Sequence, residues 1–288
     1  MSNLIKIGMV NFINTAPLYE VWKERRASTP RPHWQVVEGS PAELNWRIGA
    51  AKLDMGFISS HEYAQHPGDY RILSDLSISA DGQVGSVFLF SEVPVQELDG
   101  EVVDLSPFSQ TSNSLIKIIL EDFYQIKPLY RAKSVPGEPA RAVLAIGDLA
   151  LRLQQEGHYR EVLDLGMVWR QHTGLPFVFA VWVVREESLQ RYPDEVCAIH
   201  EELRLCVSEG RRRLSEISAR VAPRIPMSAA DCYEYLQKIE YDLQPAKISG
   251  LEAFYRYLLQ RGEADNAALP LKIVTTQLRQ ENIPNSGA

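Results

Sequence analysis

The chain has 288 residues, with 30 Lys and Arg against 37 Asp and Glu, and a formal net charge of −7. That length allows one large or two medium domains with a substantial core. The acidic balance argues against nucleic acid as the main partner, and no stretch approaches the roughly 20 apolar residues of a membrane span.

In chain order, Leu4–Val10 is an apolar run suited to a buried parallel strand. Asn11–Ala16 forms a loop, and Pro17 opens a helix running through Trp22. Trp34–Glu38 is a second strand, followed by Ser40-Pro41-Ala42-Glu43, a capping-box pattern. Asp54–Ile58 is a third strand, and Ser59-Ser60-His61-Glu62 repeats the cap. This βαβαβα rhythm calls for a parallel sheet. Ser86–Phe90 is strand-like between the units, and a second unit of similar rhythm starts near residue 100, with strands at Glu101–Asp104, Ala142–Ile146, Val162–Leu165 and Phe177–Arg185. Its helices include Leu115–Tyr124, fed by the polar turn Ser109–Ser114, and one after Gly147-Asp148. Phe88–Ser91 and Val183–Arg185 read as two crossings between lobes.

From Pro193 the pattern is helical. Val196, Ile199, Leu203, Val207, Leu214, Ile217 and Val221 form one apolar stripe on a long helix. Pairing of Glu209 with Arg213 and of Arg212 with Glu216 makes the Arg211–Arg213 run a solvated face rather than a basic patch. Helices at Ala229–Glu240 and Ile248–Arg261 come next, and Ala267–Ala288 reads as a loosely attached tail.

The chemistry narrows by what is missing. No dinucleotide or P-loop glycine motif and no Gly-x-Ser-x-Gly elbow occurs. His61 and His66 are five residues apart, about 140° around a helix, so they cannot share a zinc ion. Cys197, Cys206 and Cys232 include no Cys-x-x-Cys pair, so buried thiols in a reducing compartment are expected. The N-terminus lacks an apolar run of signal-peptide length, which adds to the expectation of a cytoplasmic protein. What remains is a set of small polar residues at strand-to-helix turns: Asn11, Asn14 and Thr15; Ser59 and Ser60; Ser109, Thr111 and Ser112; Gly147 with Asp148. Such turns gather beyond the carboxyl ends of strands, where α/β sheets bind ligands, and helix N-termini there suit carboxylates.

Gly8-Met9-Val10-Asn11-Phe12-Ile13-Asn14-Thr15-Ala16-Pro17-Leu18-Tyr19 resembles the opening signature of the chorismate dehydratase family, which starts the futalosine route to menaquinone. Ile58–Ala64, Ser86-Val87, Ser109–Ser112, Ile146–Asp148 and Trp169–Trp182 resemble its later motifs, so the likeness spans about residues 4 to 185. The resemblance implies an α/β, two-lobed periplasmic-binding-protein-like fold (a type II Venus flytrap) with C-terminal helices. Lobe 1 would take residues 1–90 and 184–288, lobe 2 residues 91–183, with the ligand cleft between them. It further implies dehydration of chorismate to 3-[(1-carboxyvinyl)oxy]benzoate without metal or organic cofactor. Asn14 would stand at the reacting centre. Asn11, Ser59, Ser86, Ser109, Thr111, Ser112, Gly147 and Asp148 would bind substrate, with Asp148 either a helix N-cap or a ligand contact. Phe12, Trp169 and Phe179 would either line the cleft or pack the core. Gly85 stands where the family often carries a bulkier residue.

The motif loops contain almost no titratable group, so a conventional acid/base pair is hard to find. An amide such as Asn14 can orient a hydroxyl or a proton acceptor but is not a base. Two other readings fit the same fold: a solute-binding protein for a small carboxylate, and the sister enzyme making 1,4-dihydroxy-6-naphthoate. Composition does not reveal the oligomeric state.

Overall fold

The computed structural model describes residues 4–132, 134–135, 137–225 and 227–276. Two mixed sheets carry the fold. The first has the order β11-β4-β10-β3-β1-β2, with β1 at Ile5–Val10, β2 at Trp34–Gly39, β3 at Met55–Ser59, β4 at Tyr70–Ala80, β10 at Phe177–Arg185 and β11 at Ile273–Val274. β1 is parallel to both β2 and β3, as the βαβαβα pattern requires, and β10 inserts antiparallel between β3 and β4. The second sheet has the order β7-β6-β8-β5-β9, from β5 (Val87–Ser91), β6 (Val102–Asp104), β7 (Leu129–Arg131), β8 (Ala142–Ile146) and β9 (Glu161–Asp164). Since β5 pairs only with β8 and β9, the chain changes sheet between Ala80 and Val87, not at Phe88–Ser91. It returns between Asp164 and Phe177, ahead of Val183–Arg185.

Helices fill the crossings: α1 (Ala16–Ser28), α2 (Pro41–Gly49), α3 (Ser60–Gln65), α4 (Gln110–Lys117, continued by a π turn through Phe123), α5 (Gly147–Glu156) and α6 (Leu165–Thr173). The caps are those the sequence announces. Ser40 accepts from the Glu43 N–H, and Ser59 from the Glu62 N–H. Ser109–Ser114 is not a turn ahead of a helix but the opening of one, because Ser109 itself is the N-cap.

β4 has no counterpart in the sequence reading. Its stretch YRILSDLSISA mixes Ser, Asp and Arg into the apolar run, yet Ser77 and Ser79 are fully buried. They are tolerated because their hydroxyls donate to the Asp242 and Glu240 carbonyls, and Ser77 N–H donates to the Tyr241 carbonyl. Buried polar groups need such partners, and here they come from more than 160 residues along the chain.

The C-terminal half begins with α7 (Glu186–Arg191). The expected single long helix is two, α8 (Pro193–Arg212) and α9 (Leu214–Val221), which meet at Arg213. Its guanidinium holds Glu24, Glu209 and Glu216, which ties the junction of the two helices to α1. The Glu209–Arg213 pair is therefore present, while Glu216 is held by Arg213 and Arg220. Arg211 donates to the Leu236 and Ile239 carbonyls at the end of α10 (Ala229–Lys238) rather than pointing to solvent. α11 (Pro245–Gln260) completes the bundle.

Residues 267–276 are anchored, contrary to the expected loose tail. Ala268 is buried, β11 pairs with β4, and Lys272 N–H donates to the Tyr63 hydroxyl. Residues 277–288 of that tail lie outside the described residues. All three cysteines are buried free thiols. No helix among the described residues is long and apolar enough to cross a membrane.

α8 crosses α1 at Gly210, where an added Cβ would lie 1.8 Å from the Pro17 carbonyl oxygen. A rigid backbone atom cannot yield as a side chain does. Gly210→Ala should therefore cost about 1–3 kcal/mol, read as a lower urea midpoint. An unchanged midpoint would show that the helices have room to separate.

Candidate functional site

The cleft is built where strands of both sheets end. It is lined from the first sheet by Val10, Phe57, Ser59, Ile78 and Phe179, from the second by Val87 and Ile146, and by Gly147 at the start of the next helix.

The loop after β1 contributes Phe12, Asn14 and Thr15. Thr15 Oγ1 is placed to donate to the Val10 carbonyl at 2.6 Å or the Phe12 carbonyl at 2.8 Å. A short 3-10 turn at Ile13–Thr15 then passes into α1. Tyr241, reaching in from the C-terminal half, donates its hydroxyl to the Asn14 carbonyl at 2.6 Å. The Asn14 side chain has its Oδ1 buried and, among the described residues, without a hydrogen-bond partner. An orphaned acceptor of that kind costs about 1–3 kcal/mol, and a ligand O–H or N–H removes the cost.

Ser59, Ser86, Ser109 and Ser112 all line the same space. Ser59 ends β3 and caps α3. Ser86 follows Gly85, whose φ of +71° suits glycine. The Gly85 N–H donates to Asp164 at 2.7 Å, as the Val84 N–H does at 3.2 Å. A Cβ on Gly85 would stand 3.2 Å from the Tyr235 ring, so the glycine at this position answers to local geometry. Gly147 also has a positive φ, +58°. Its N–H donates to the Ser86 carbonyl at 2.7 Å, and Phe12 packs where its Cβ would be.

Three anticipated residues stand elsewhere. Asn11 is exposed, donates to Glu38 at 2.8 Å and accepts from Arg224 at 3.4 Å. Thr111 is buried behind the lining, where its Oγ1 accepts the His61 N–H at 3.0 Å and ties α4 to α3. Asp148 is the second residue of α5, which has no side-chain cap. Its carboxylate faces the Ile13 N–H across the cleft at 3.5 Å. Trp169 is fully buried against Phe177 and Phe254 and is core rather than wall. Sequence reasoning missed Asn45, Tyr235 and Asp164, which hold Ser59, Ser86 and the segment before Ser86. Only Asp164 left a signal, as the acidic N-cap of α6 after a strand.

No side chain of the lining is charged. Ser109, the N-cap of α4, is in the lining, so the partial positive charge at the start of that helix lies at the cleft wall. Among the described residues no three His, Cys, Asp or Glu side chains are grouped so as to hold a metal. His61, once paired in sequence with His66, lies 4.0 Å from Glu263, and burial holds its pKa below the usual range.

Burial raises the Asp148 pKa against the opposing pull of the Ile13 N–H, Arg152 and Arg224. A carboxyl with a raised folded pKa binds more protons native than unfolded, so it lowers stability as pH rises through that interval. Asp148→Asn should melt higher than wild type at neutral pH and lose this advantage as pH falls toward about 4. A pH-independent difference in melting temperature would contradict it.

The sequence profile of the family described as menaquinone biosynthesis matches residues 5–260. A chorismate dehydratase of Thermus thermophilus is 30% identical over 266 residues, covering 86% of this chain and 93% of that protein. One from Campylobacter jejuni is 30% identical over 174 residues, 60% of this chain and 64% of that protein. Among solved structures, the Candida albicans CA3427 product, described as having the generic periplasmic binding protein fold, aligns with a TM-score of 0.70 at 10% identity. It covers 96% of this chain and 99% of its own. The alkanesulfonate-binding protein SsuA of Xanthomonas axonopodis aligns at 0.65 with 14% identity, covering 95% and 98%. At such identities the likeness is one of fold, and the fold here is that of the periplasmic binding proteins.

Proposed function

The chain belongs to the menaquinone-biosynthesis family, and from that premise we propose that it is a hydro-lyase converting chorismate to 3-[(1-carboxyvinyl)oxy]benzoate and water. The observation that carries the reading is the buried, unpartnered Asn14 Oδ1 in a wall otherwise furnished with hydroxyl and N–H donors. Chorismate has the complementary pattern: two carboxylates that accept, and one ring hydroxyl that donates.

In this reading the ring hydroxyl lies against Asn14, and the serine hydroxyls and helix N-termini hold the carboxylates. The ring carbon bearing the enolpyruvyl ether loses its hydrogen, its neighbour loses the hydroxyl, and the ring becomes aromatic. No lining side chain can take that proton, so the substrate's own enolpyruvyl carboxylate receives it and passes it to the departing hydroxyl, which leaves as water. The protein's part is to hold this conformer and to exclude solvent. The two sheets act as lobes that close on the substrate, with the 81–86 and 165–176 segments as the crossings. The reading needs no metal or organic cofactor and places the protein in the cytoplasm.

Chorismate turnover followed by chromatography tests the assignment. Chorismate binding without product from folded protein would reassign the cleft to a solute-binding role. Asn14→Ala should melt no lower than wild type, since it removes the unpartnered acceptor, and lose about 10²–10³ in kcat; near wild-type turnover would move the reacting centre away from Asn14. With no titrating group in the wall, kcat should be flat from about pH 6 to 8, and a bell-shaped profile would reveal a protein acid or base.

A further inference from the structure

The hydroxyls of the cleft have their polarity set by residues behind them. Ser59 Oγ accepts two hydrogen bonds, from the Glu62 N–H at 3.1 Å and from Asn45 Nδ2 at 3.0 Å. The orientation of the Asn45 amide follows from its other end, since Oδ1 accepts the Ser59 N–H at 3.2 Å. A hydroxyl has two lone pairs and one proton. With both lone pairs occupied, Ser59 keeps only its proton, and among the described residues no protein acceptor takes it. Ser86 and Ser112 follow the same plan less completely. Tyr235 donates to Ser86 Oγ at 3.0 Å, and Ser109 donates to Ser112 Oγ at 3.0 Å.

We propose that Asn45 is a positioning residue for this site, one that forces the Ser59 hydroxyl to donate and so makes it a carboxylate contact. The inference rests on the chorismate reading above. It matters because the wall holds no cation. Without a fixed charge, a carboxylate is recognised only by groups that have nothing but protons to offer. A free serine hydroxyl turns its lone pair toward an amide N–H as readily as its proton toward a carboxylate, and discriminates poorly. Asn45 removes that choice. It does so from α2, without itself lining the cleft.

The test is a double-mutant cycle on chorismate turnover with wild type, Asn45→Leu, Ser59→Ala and the double variant. Asn45→Leu keeps the branching at Cγ and is neutral. It should raise KM about tenfold, as expected for losing most of one charge-assisted hydrogen bond, with a smaller change in kcat. In the Ser59→Ala background the same substitution should change KM by about twofold at most. Multiplicative KM effects in folded variants, or a loss confined to kcat, would overturn the assignment. Should Asn45→Leu fail to fold, Asn45→Ala serves the same cycle, because it removes the amide without introducing a charge or an acceptor. Wild-type protein that makes no product would instead overturn the chorismate reading, and the role of Asn45 with it.

Discussion

A buried amide oxygen left without a donor is unstable on its own, and the loop that carries it must be held by something other than its own contacts. Around Asn14 those supports come from every direction. Thr15 folds back on the Val10 and Phe12 carbonyls, Tyr241 fixes the Asn14 carbonyl, and Asp148 meets the Ile13 N–H from the opposite sheet. The side chain can then stay unsatisfied until a ligand arrives, because its backbone has nowhere else to go. The same economy governs Ser59 and Ser86, which are placed by strand ends and oriented by Asn45 and Tyr235.

A net charge of −7 and a dianionic substrate would conflict if the field of the whole molecule decided binding. It does not, since exposed charges are screened over about 10 Å or less at physiological salt, and the wall itself is neutral. The arginines are spent elsewhere. Arg213 and Arg220 share Glu24 and Glu216 and tie α9 to α1. The carboxyl of Glu24 is correspondingly held down to about 2 by its two arginines.

Strands that are mostly apolar, such as β1 and β3, were legible because burial leaves a nearly continuous hydrophobic run, broken in β1 only by the exposed Lys6. The serine caps were legible because a Ser-x-x-Glu spacing has one local use. β4 was not, since its buried serines are satisfied by residues 240–242 and local pattern has no access to that pairing. Within the site the limit was different. A short polar residue at a turn looks the same whether it faces the cleft, as Ser112 does, or a neighbouring helix, as Thr111 does. One step of helical rotation separates them, and that rotation is set by packing. Asn45 and Tyr235 carried no signal at all, because an Asn or Tyr inside an amphipathic helix reads as ordinary surface or core.

The route of the chain has a consequence for its synthesis. Asn14 stands in the first loop, yet its carbonyl is tied to Tyr241, and α1 is seated by Gly210 of α8. A ribosome delivers the β1–α1 loop well before these two partners. While the residues between them are being made, the loop is exposed and its anchors do not yet exist. Order of synthesis and order of completion run opposite ways, so the site is completed only after Tyr241 has left the ribosome.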